Sequence, residues 1–386
     1  MFIGLTPEQD SLQHEIRSYF DSLVNDDDAF ALLHDRHGPV ARRIIRQLGE
    51  DGWLGVGWPK EFGGRGFGPL EQQIFESEAV RASIPLSSVT LQTVGPTLLR
   101  YGSDEQKHRF LPGILRGEIE FAIGYTEPDA GTDLFSLSTT AKRLDDGSYV
   151  VNGQKTYTTG GHTADYIWLA ARTGTPESRH RGLSILIVDT DDPGFTCTPI
   201  ISLDGAHHTN ATYYQDVHVP ASMLVGGENE GVKYLISQLN HERVMLSPSG
   251  RIAAIYDLVH TWAASEGLLD RDDVRESLGE ILAVLKVNTV LNWRVVASTG
   301  PGGPSQADAS ASKIFHTTRV QRVARIAEDI IYAWGDLGDP GTARTLKSLD
   351  VHAKRNAVIT FGGGVNEVMR DMVSEVALGL PKVARR

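Results

Sequence analysis

Residues 121–133 read Phe-Ala-Ile-Gly-Tyr-Thr-Glu-Pro-Asp-Ala-Gly-Thr-Asp, and this stretch guides the interpretation of the whole chain. Thr126 and Thr132 offer polar side chains, and Pro128 fixes one backbone dihedral angle. Gly131 lets the main chain approach a ligand closely. The composition is typical of a loop that holds an extended ligand against its backbone, although an ordinary surface turn can have a similar composition.

The size and composition of the chain limit the possible functions. It has 386 residues, of which 40% are hydrophobic, so we expect a large core and two or three domains. The formal charge of −12 argues against binding of a nucleic-acid backbone, which needs a surplus of Lys and Arg on one face. Cys197 is the only cysteine, which excludes an intrachain disulfide and a multi-cysteine metal site.

No apolar run of the sequence approaches the length of a membrane span, and the N-terminal residues lack the features of an export signal. We therefore expect a cytoplasmic protein without membrane insertion. The pairs His207-His208 and His34 with His37 invite a metal interpretation, but no acidic or thiolate set accompanies either pair. We predict no metal site.

The segment before residue 121 has the pattern of helices. Thr6 is a natural N-cap, Pro7 suits the first helical position, and Gln9 completes a capping box. An apolar stripe at spacings of three and four follows, formed by Leu12, Ile16, Tyr19, Phe20 and Leu23. Further helices are predicted over residues 41–54, 70–82 and 104–117.

Beyond residue 121, short β-branched and aromatic runs alternate with turn dipeptides such as Asp146-Gly147 and Asn152-Gly153. Strands are predicted at residues 149–151, 166–170, 183–188 and 213–219. Their spacing favours a small antiparallel barrel or sandwich over βαβ units.

After Gly231 the helical periodicity returns and continues to the end of the chain. Gly- and Pro-rich loops interrupt it at residues 300–304 and 338–341. The sequence therefore predicts an α+β fold with a helical domain at 1–120, a β-barrel or sandwich domain at 121–230 and a helical bundle at 231–386.

The stretch at residues 121–133 resembles the first signature of the acyl-CoA dehydrogenase family, Thr-Glu-Pro-x-Ala-Gly-Ser-Asp, with Thr132 in place of the serine. Members of this family are flavoenzymes that introduce a double bond between the α and β carbons of a coenzyme A thioester. The order of helices, strands and helices also resembles the family's helical N-terminal domain, β middle domain and C-terminal four-helix bundle. The resemblance implies FAD as cofactor, an acyl-CoA as substrate and an electron-transfer flavoprotein as electron acceptor.

Residues 152–160, Asn-Gly-Gln-Lys-Thr-Tyr-Thr-Thr-Gly, resemble the family's second flavin-contacting strand, Asn-Gly-x-Lys-x-Trp-Ile-Thr-Asn. By this resemblance, Tyr157 covers one face of the isoalloxazine ring and Thr159 donates a hydrogen bond near its N5 and O4 atoms. The resemblance assigns further contacts with the ring to Tyr125, Thr126, Gly131 and Thr132. Without the first signature, Tyr157 would equally well be a strand aromatic in a core.

The base that removes the α proton is expected at an unusual position. Many family members carry it as the Glu of a Tyr-Glu-Gly-Thr stretch near the C-terminus, where this chain has Gly363. A subset carries the base in a Leu-x-x-Glu-Arg context, which matches residues 239–243 and makes Glu242 the expected base. Partial desolvation in an apolar helical segment would raise its proton affinity. An exposed helical Glu beside Arg243 is the alternative.

Two further roles follow from the resemblance. The thioester oxygen is held in the family by a ribityl hydroxyl of the flavin and by the backbone N–H at the C-terminal base position. Gly363 retains that N–H, so the oxyanion site is expected to survive without the side chain. Arg243, next to the expected base, is a candidate for contact with the substrate.

Two family motifs that reach the flavin of a neighbouring subunit, Arg-x-x-Phe-Gly and Gln-x-x-Gly-Gly, are missing. Residues 271–279 and 327–335 stand in their place, where Asp272, Asp273 and Asp329 would repel a diphosphate. The chain is therefore expected to keep the isoalloxazine half of its own site and to lack the half that it would lend to a neighbour. The implied assembly is an α2β2 heterotetramer with a second acyl-CoA dehydrogenase-like subunit.

Residues 204–214 and 361–368 look most like the heteromeric acyl-CoA dehydrogenases of bacterial sterol side-chain degradation, whose substrates are steroid-CoA thioesters. Two alternatives stay open. One is a noncatalytic subunit that completes the site or the assembly of its partner. The other is a flavin-dependent monooxygenase on the same scaffold, against which a usable Glu242 counts.

Overall fold

The computed structural model describes residues 4–245, 247–298 and 305–382. Within these ranges the fold is α+β, as predicted, with a seven-stranded sheet between two groups of helices in the sequence. No helix of the described part is both long and apolar enough to cross a membrane.

The chain divides into two compact units that do not follow the chain order. The first contains residues 1–33, 68–84 and 243–386, and the second contains residues 34–67 and 85–242. The three consecutive domains expected from the sequence stay a prediction.

Six α-helices of the described part precede the sheet: Pro7–Leu23 (α1), Asp26–His34 (α2), Pro39–Glu50 (α3), Pro69–Arg81 (α4), Gly95–Tyr101 (α5) and Asp104–Leu115 (α6). The predicted capping box at the start of α1 is present. The hydroxyl of Thr6 accepts a hydrogen bond from the backbone N–H of Gln9, and the Gln9 side chain accepts one from the N–H of Thr6. The helix predicted over 41–54 ends earlier, at Glu50, and Gly52 continues the chain at a φ of 72°.

The strands are Phe121–Gly124 (β1), Thr140–Arg143 (β2), Tyr149–Thr159 (β3), Tyr166–Arg172 (β4), Leu183–Asp189 (β5), Phe195–Ile201 (β6) and His207–Val219 (β7). They form one sheet in the order β1-β4-β2-β3-β7-β6, and β5 pairs with β4 outside this order. Each predicted strand is present, and β1, β2 and β6 are additional. The expectation of antiparallel pairing is wrong for β1, which runs parallel to β4 with Phe121 opposite Tyr166. Parallel pairing joins segments through a long connection, which no turn dipeptide signals.

The two turn dipeptides differ in outcome. Asp146-Gly147 forms the predicted turn between β2 and β3, and Gly147 has a φ of 86°. Asn152-Gly153 is not a turn, because it lies inside β3 at a shift of the β3–β7 register. The Asn152 side chain exchanges two hydrogen bonds with Asp216 on β7, at 2.9 and 3.0 Å. A β-bulge draws on residue types that also form turns.

Six more α-helices follow in the described part: Gly231–Met245 (α7), Gly250–Ser265 (α8), Asp272–Ala297 (α9), Gln306–Trp334 (α10), Pro340–Ala357 (α11) and Asn366–Met372 (α12). Helices α8 to α11 form a bundle around an apolar core that includes Ile255, Ile281, Val323 and Leu349. The loop predicted at 338–341 joins α10 to α11, where Asp339 caps α11 by accepting from the N–H of Thr342. The loop predicted at 300–304 lies outside the described residues.

Candidate functional site

A buried ion pair anchors the loop at residues 125–132 to strand β3. Glu127 and Lys155 are 4% and 0% exposed, and Oε1 of Glu127 lies 2.8 Å from Nζ of Lys155. The other hydrogen bonds to the Glu127 carboxylate come from the N–H and hydroxyl of Ser138 and from the N–H of Thr139. Burial of these charges is tolerated because each carboxylate oxygen is hydrogen-bonded.

Both members of this pair are charged at neutral pH. Burial alone would raise the pKa of Glu127, but the charge of Lys155 and the hydrogen bonds from Lys155, Thr139 and Ser138 outweigh it and hold the pKa at about 2. Burial lowers the pKa of Lys155 to about 8 against the attraction of Glu127. A loop held by a desolvated charge pair keeps its polar groups in a fixed geometry.

Lys155 holds the residues on both sides of Thr126, which are Tyr125 and Glu127. The ammonium group of Lys155 also donates to the carbonyl oxygen of Tyr125, at 3.1 Å. The carbonyl oxygen of Thr126 itself accepts from the N–H of Thr156, at 2.8 Å. The backbone on both sides of Thr126 is thereby tied to β3, the strand whose end carries Tyr157.

Tyr157 combines an unusual backbone with an exposed ring. Its φ of 58° is left-handed, and the residue lies within the shift of the β3–β7 register between Lys155 and Thr158. A bulky residue rarely adopts this conformation. The side chain is 65% exposed, so it is no part of an apolar core. A strained backbone that presents an aromatic ring to solvent is expected of a ligand contact rather than of strand packing.

The other expected flavin contacts belong to the same unit as Tyr157. A Cβ added to Gly131 would meet no protein atom within 4 Å, so this stretch of backbone is open to a ligand. Thr132 and Thr159 are exposed, and Thr159 also lines a cavity of about 100 Å³ together with His37 and Gly160. Within the described part of the chain, the hydroxyl groups of Thr126 and Thr159 have no hydrogen-bond partner. An open stretch of backbone and hydroxyl groups without partners are chemically suited to a planar, hydrogen-bonding ring such as isoalloxazine.

Helix α7 contacts the loop through Gln238. The hydroxyl of Tyr125 donates to Oε1 of Gln238, whose side chain is 2% exposed. The Nε2 atom of Gln238 is buried and has no partner among the described residues. Residue 242 follows four positions later and shares this helix face. The side chains of Glu242 and Arg243 lie outside the described residues.

Gly363 belongs to the other unit, in the turn between α11 and α12. Its φ is 66° and that of Gly364 is 98°, both in the left-handed region. The residue is exposed, and its N–H has no acceptor among the residues that the structure describes. A free backbone donor at an exposed turn can bind an oxyanion.

The regions that stand in place of the adenine-binding motifs do not fit an anionic ligand. The guanidinium carbon of Arg271 lies 3.4 Å from the ring centroid of Trp334, and its Nε donates to Asp273 at 3.2 Å. Asp272 and Asp329, one in each of the two regions, are exposed, and Asp272 lies 3.9 Å from Arg275. Arg271 and Arg275 both have acidic neighbours, and the two regions together carry more acidic than basic side chains, which disfavours a diphosphate.

Four histidines from three distant segments, His37, His162 and the adjacent His207 and His208, form one cluster in the second unit. The rings of His162 and His207 stack with centroids 3.8 Å apart, and His37 lies 5.7 Å from His162 and 6.1 Å from His208. Burial and repulsion by the neighbouring histidines lower the pKa of His37 to about 4. Within the described residues, no group of three or more His, Cys, Asp or Glu side chains could hold a metal ion.

Sequence reasoning missed three of these anchoring residues. Glu127 and Lys155 lie within the two quoted motifs, residues 121–133 and 152–160. One acidic residue in the loop and one basic residue in the strand were the available signal for a buried pair. Gln238 had no signal of its own, since one polar residue on an amphipathic helix is ordinary.

Comparisons with known proteins agree with one another along the chain. Profiles described as the N-terminal, middle and C-terminal domains of acyl-CoA dehydrogenase match residues 6–118, 122–217 and 229–378. The acyl-CoA dehydrogenase FadE29 of Mycobacterium tuberculosis is 60% identical over the full length of both chains.

Two solved structures are also similar to this chain. A structure titled "Tcur3481-Tcur3483 steroid ACAD" has 42% identity and a TM-score of 0.92, over 99% of this chain and 100% of that chain. The ChsE4-ChsE5 complex of Mycobacterium tuberculosis has 43% identity and a TM-score of 0.89 with the same coverage.

Proposed function

This chain belongs to the acyl-CoA dehydrogenase family, and we propose that it catalyses FAD-dependent α,β-dehydrogenation of an acyl-CoA thioester as one subunit of a heterotetramer. The substrate we propose is a bulky steroid side-chain acyl-CoA. An electron-transfer flavoprotein is the proposed electron acceptor.

One contact carries this proposal, the hydrogen bond from the hydroxyl of Tyr125 to Gln238. It joins the loop expected to bind the flavin to the face of α7 on which residue 242 lies. A base and a redox ring must both reach one substrate, the base at the α carbon and the ring at the β carbon. Glu242 is therefore the proposed base that removes the α proton.

The chain's own residues have distinct proposed roles. Tyr157 would cover one face of the isoalloxazine, while Tyr125, Thr126, Gly131, Thr132 and Thr159 would hold its edge. A bound flavin would accept the hydride from the β carbon. The N–H of Gly363 would bind the thioester oxygen and stabilise the negative charge that develops when the α proton leaves. Arg243 is proposed to contact the substrate.

The misfit of residues 271–279 and 327–335 supports an assembly with a different subunit. A homotetramer would offer acidic side chains to the diphosphate of every flavin. A second acyl-CoA dehydrogenase-like chain could supply the basic half, which gives α2β2 with one complete flavin site per heterodimer. The similarity to the ChsE4-ChsE5 complex and to a protein titled a steroid ACAD supports both the heteromer and the steroid substrate.

The experiment compares this chain produced alone with the same chain co-produced with its partner subunit. We expect the visible absorption of oxidised flavin only in the co-produced complex, and dehydrogenation of a steroid side-chain acyl-CoA only there. A yellow and active homomer would contradict the heteromeric assembly. Oxygen consumption coupled to a hydroxylated product would instead indicate a monooxygenase.

A further inference from the structure

The turn that carries Gly363 is held from inside the bundle by one lysine. Lys313 lies on α10 and is 1% exposed. Its ammonium group donates a hydrogen bond to the carbonyl oxygen of Gly362, at 2.7 Å, and another to the carbonyl oxygen of Gly364. A single buried cation is therefore hydrogen-bonded to the backbone on both sides of Gly363.

The first of these bonds acts on the same peptide unit as the proposed oxyanion donor. The carbonyl of Gly362 and the N–H of Gly363 belong to one planar amide group, and in a trans peptide they point in opposite directions. With its carbonyl fixed on Lys313, this amide must direct the N–H of Gly363 away from α10. A charged donor on the carbonyl also polarises the amide and makes its N–H a stronger hydrogen-bond donor.

Neighbouring contacts keep the turn in this geometry. One helical turn beyond Lys313, the hydroxyl of Thr317 is hydrogen-bonded to the side chain of Asn366 at the start of α12, at 2.9 and 3.2 Å. A Cβ added to Gly364 would lie 2.8 Å from the Cε atom of Met369, so side-chain packing and a positive φ both favour glycine there.

We propose that Lys313 is a positioning residue for the reaction: its buried ammonium group orients and polarises the 362–363 amide so that the N–H of Gly363 binds the thioester oxygen. This inference rests on the proposed dehydrogenation. It explains how a turn of three consecutive glycines, with little conformational restriction of its own, can present a fixed donor.

The test measures the polarisation of a bound carbonyl. The probe is the α,β-unsaturated CoA thioester of a steroid side chain, labelled with ¹³C at the thioester carbonyl and bound to the complete complex. For the wild-type complex we expect its infrared carbonyl stretch to shift to lower frequency than in water. In Lys313→Met we expect part of this shift to be lost, because the N–H of Gly363 and the ribityl hydroxyl remain but the amide is less polarised and less firmly oriented. We also expect kcat to fall about tenfold with little change in KM, less than the roughly hundredfold cost of deleting an oxyanion donor.

Two comparisons separate this role from general support of the fold. Lys313→Arg should retain more of the carbonyl shift than Lys313→Gln, because only arginine keeps a positive charge; this comparison decides the question if Lys313→Met does not assemble. Thr317→Val should lower the melting temperature but keep the shift, because it loosens the turn and leaves the charge in place. Equal shifts in wild type, Lys313→Met and Lys313→Gln would overturn the inference.

The same experiment distinguishes failure of the proposed function from failure of the role of Lys313. A wild-type complex that shows neither a carbonyl shift nor turnover would contradict the dehydrogenase proposal itself. Turnover and a shift in wild type, with the shift unchanged in every Lys313 variant, would contradict only the role of Lys313.

Discussion

The ammonium group of Lys155 lies 2.8 Å from the carboxylate of Glu127 and 3.1 Å from the carbonyl oxygen of Tyr125. A single buried cation on β3 thus holds the loop on both sides of Thr126, which carries one of the hydroxyl groups proposed to contact the flavin. The same strand presents Tyr157 two residues later.

Lys155→Met should lower the free energy of unfolding by about 3 kcal/mol, because it leaves the Glu127 carboxylate buried without its counter-ion. Adding Glu127→Gln to this variant should recover part of the loss, since the unpaired charge is then removed. Urea unfolding of the single and double variants measures both effects. The exposed Lys142, replaced by Met, is the matched control and should be near neutral. A Lys155→Met variant as stable as this control would show that the pair does not anchor the loop.

Tyr157→Asn should change stability and flavin binding in opposite directions. Asparagine tolerates the left-handed backbone better than tyrosine, so strain of about 1 kcal/mol is partly relieved, while little packing is lost from a ring that is 65% exposed. The flavin would lose its aromatic cover. We expect an equal or higher melting temperature for the flavin-free complex and a weaker flavin affinity in a fluorescence titration.

Tyr157→Phe keeps the ring and the strain, and it should therefore resemble wild type in both measurements. Unchanged flavin affinity in Tyr157→Asn would remove Tyr157 from the proposed site.

The histidine cluster should make the protein sensitive to mild acid. The unfolded chain takes up a proton at His37 near pH 6.5, whereas the folded chain takes it up only near pH 4. Between these values the unfolded state binds more protons, so the free energy of unfolding falls as the pH drops, by up to about 3 kcal/mol for this group. The pKa is lowered first by burial and then by His162, His208 and Arg36, against the opposing effect of Asp35.

Replacing His37 by Gln should therefore flatten the dependence of stability on pH between 6.5 and 4. Replacing the exposed His108 by Gln should leave the slope unchanged. Denaturant unfolding at several pH values checks both, and equal slopes in wild type and His37→Gln would contradict the assignment.

Gly363→Ala should cost about 1 kcal/mol, because alanine is strained at a φ of 66°. The backbone N–H is retained, so flavin content should not change. The melting temperature of the complex measures the cost. The matched glycine control is Gly131→Ala, which lies in open space and has no positive φ; because Gly131 is a proposed flavin contact, both variants are compared in the flavin-free complex. A gain in stability in Gly363→Ala would contradict the left-handed turn.

The sequence predicts those features that local patterns encode. Thr6 and Gln9 form their capping box because both partners lie within one helical turn. The prediction of a turn at Asn152-Gly153 is wrong because a bulge and a turn use the same residues, and only pairing with Asp216, 64 residues away, distinguishes them. The parallel pairing of β1 with β4 likewise depends on a partner that is distant in the sequence.

The candidate site likewise has features that the sequence indicates and features that it does not. The resemblance identifies Tyr157 and Thr126 as candidates, but it does not reveal that Lys155 and Glu127 form the ion pair that fixes the loop. The hydrogen bond from Lys313 to Gly362 in the glycine turn joins residues 49 positions apart, and no local signal in the sequence indicates it. Contacts of this kind depend on how distant segments pack.

The most direct test of the proposed dehydrogenation is the flavin absorption of the complete complex after anaerobic mixing with a steroid side-chain acyl-CoA. We expect the visible band to bleach in the wild-type complex, and to persist in a Glu242→Gln complex that contains the same amount of flavin, because the α proton is not removed. Bleaching of the Glu242→Gln complex at the wild-type rate would contradict the role of Glu242 and leave this chain as a noncatalytic subunit.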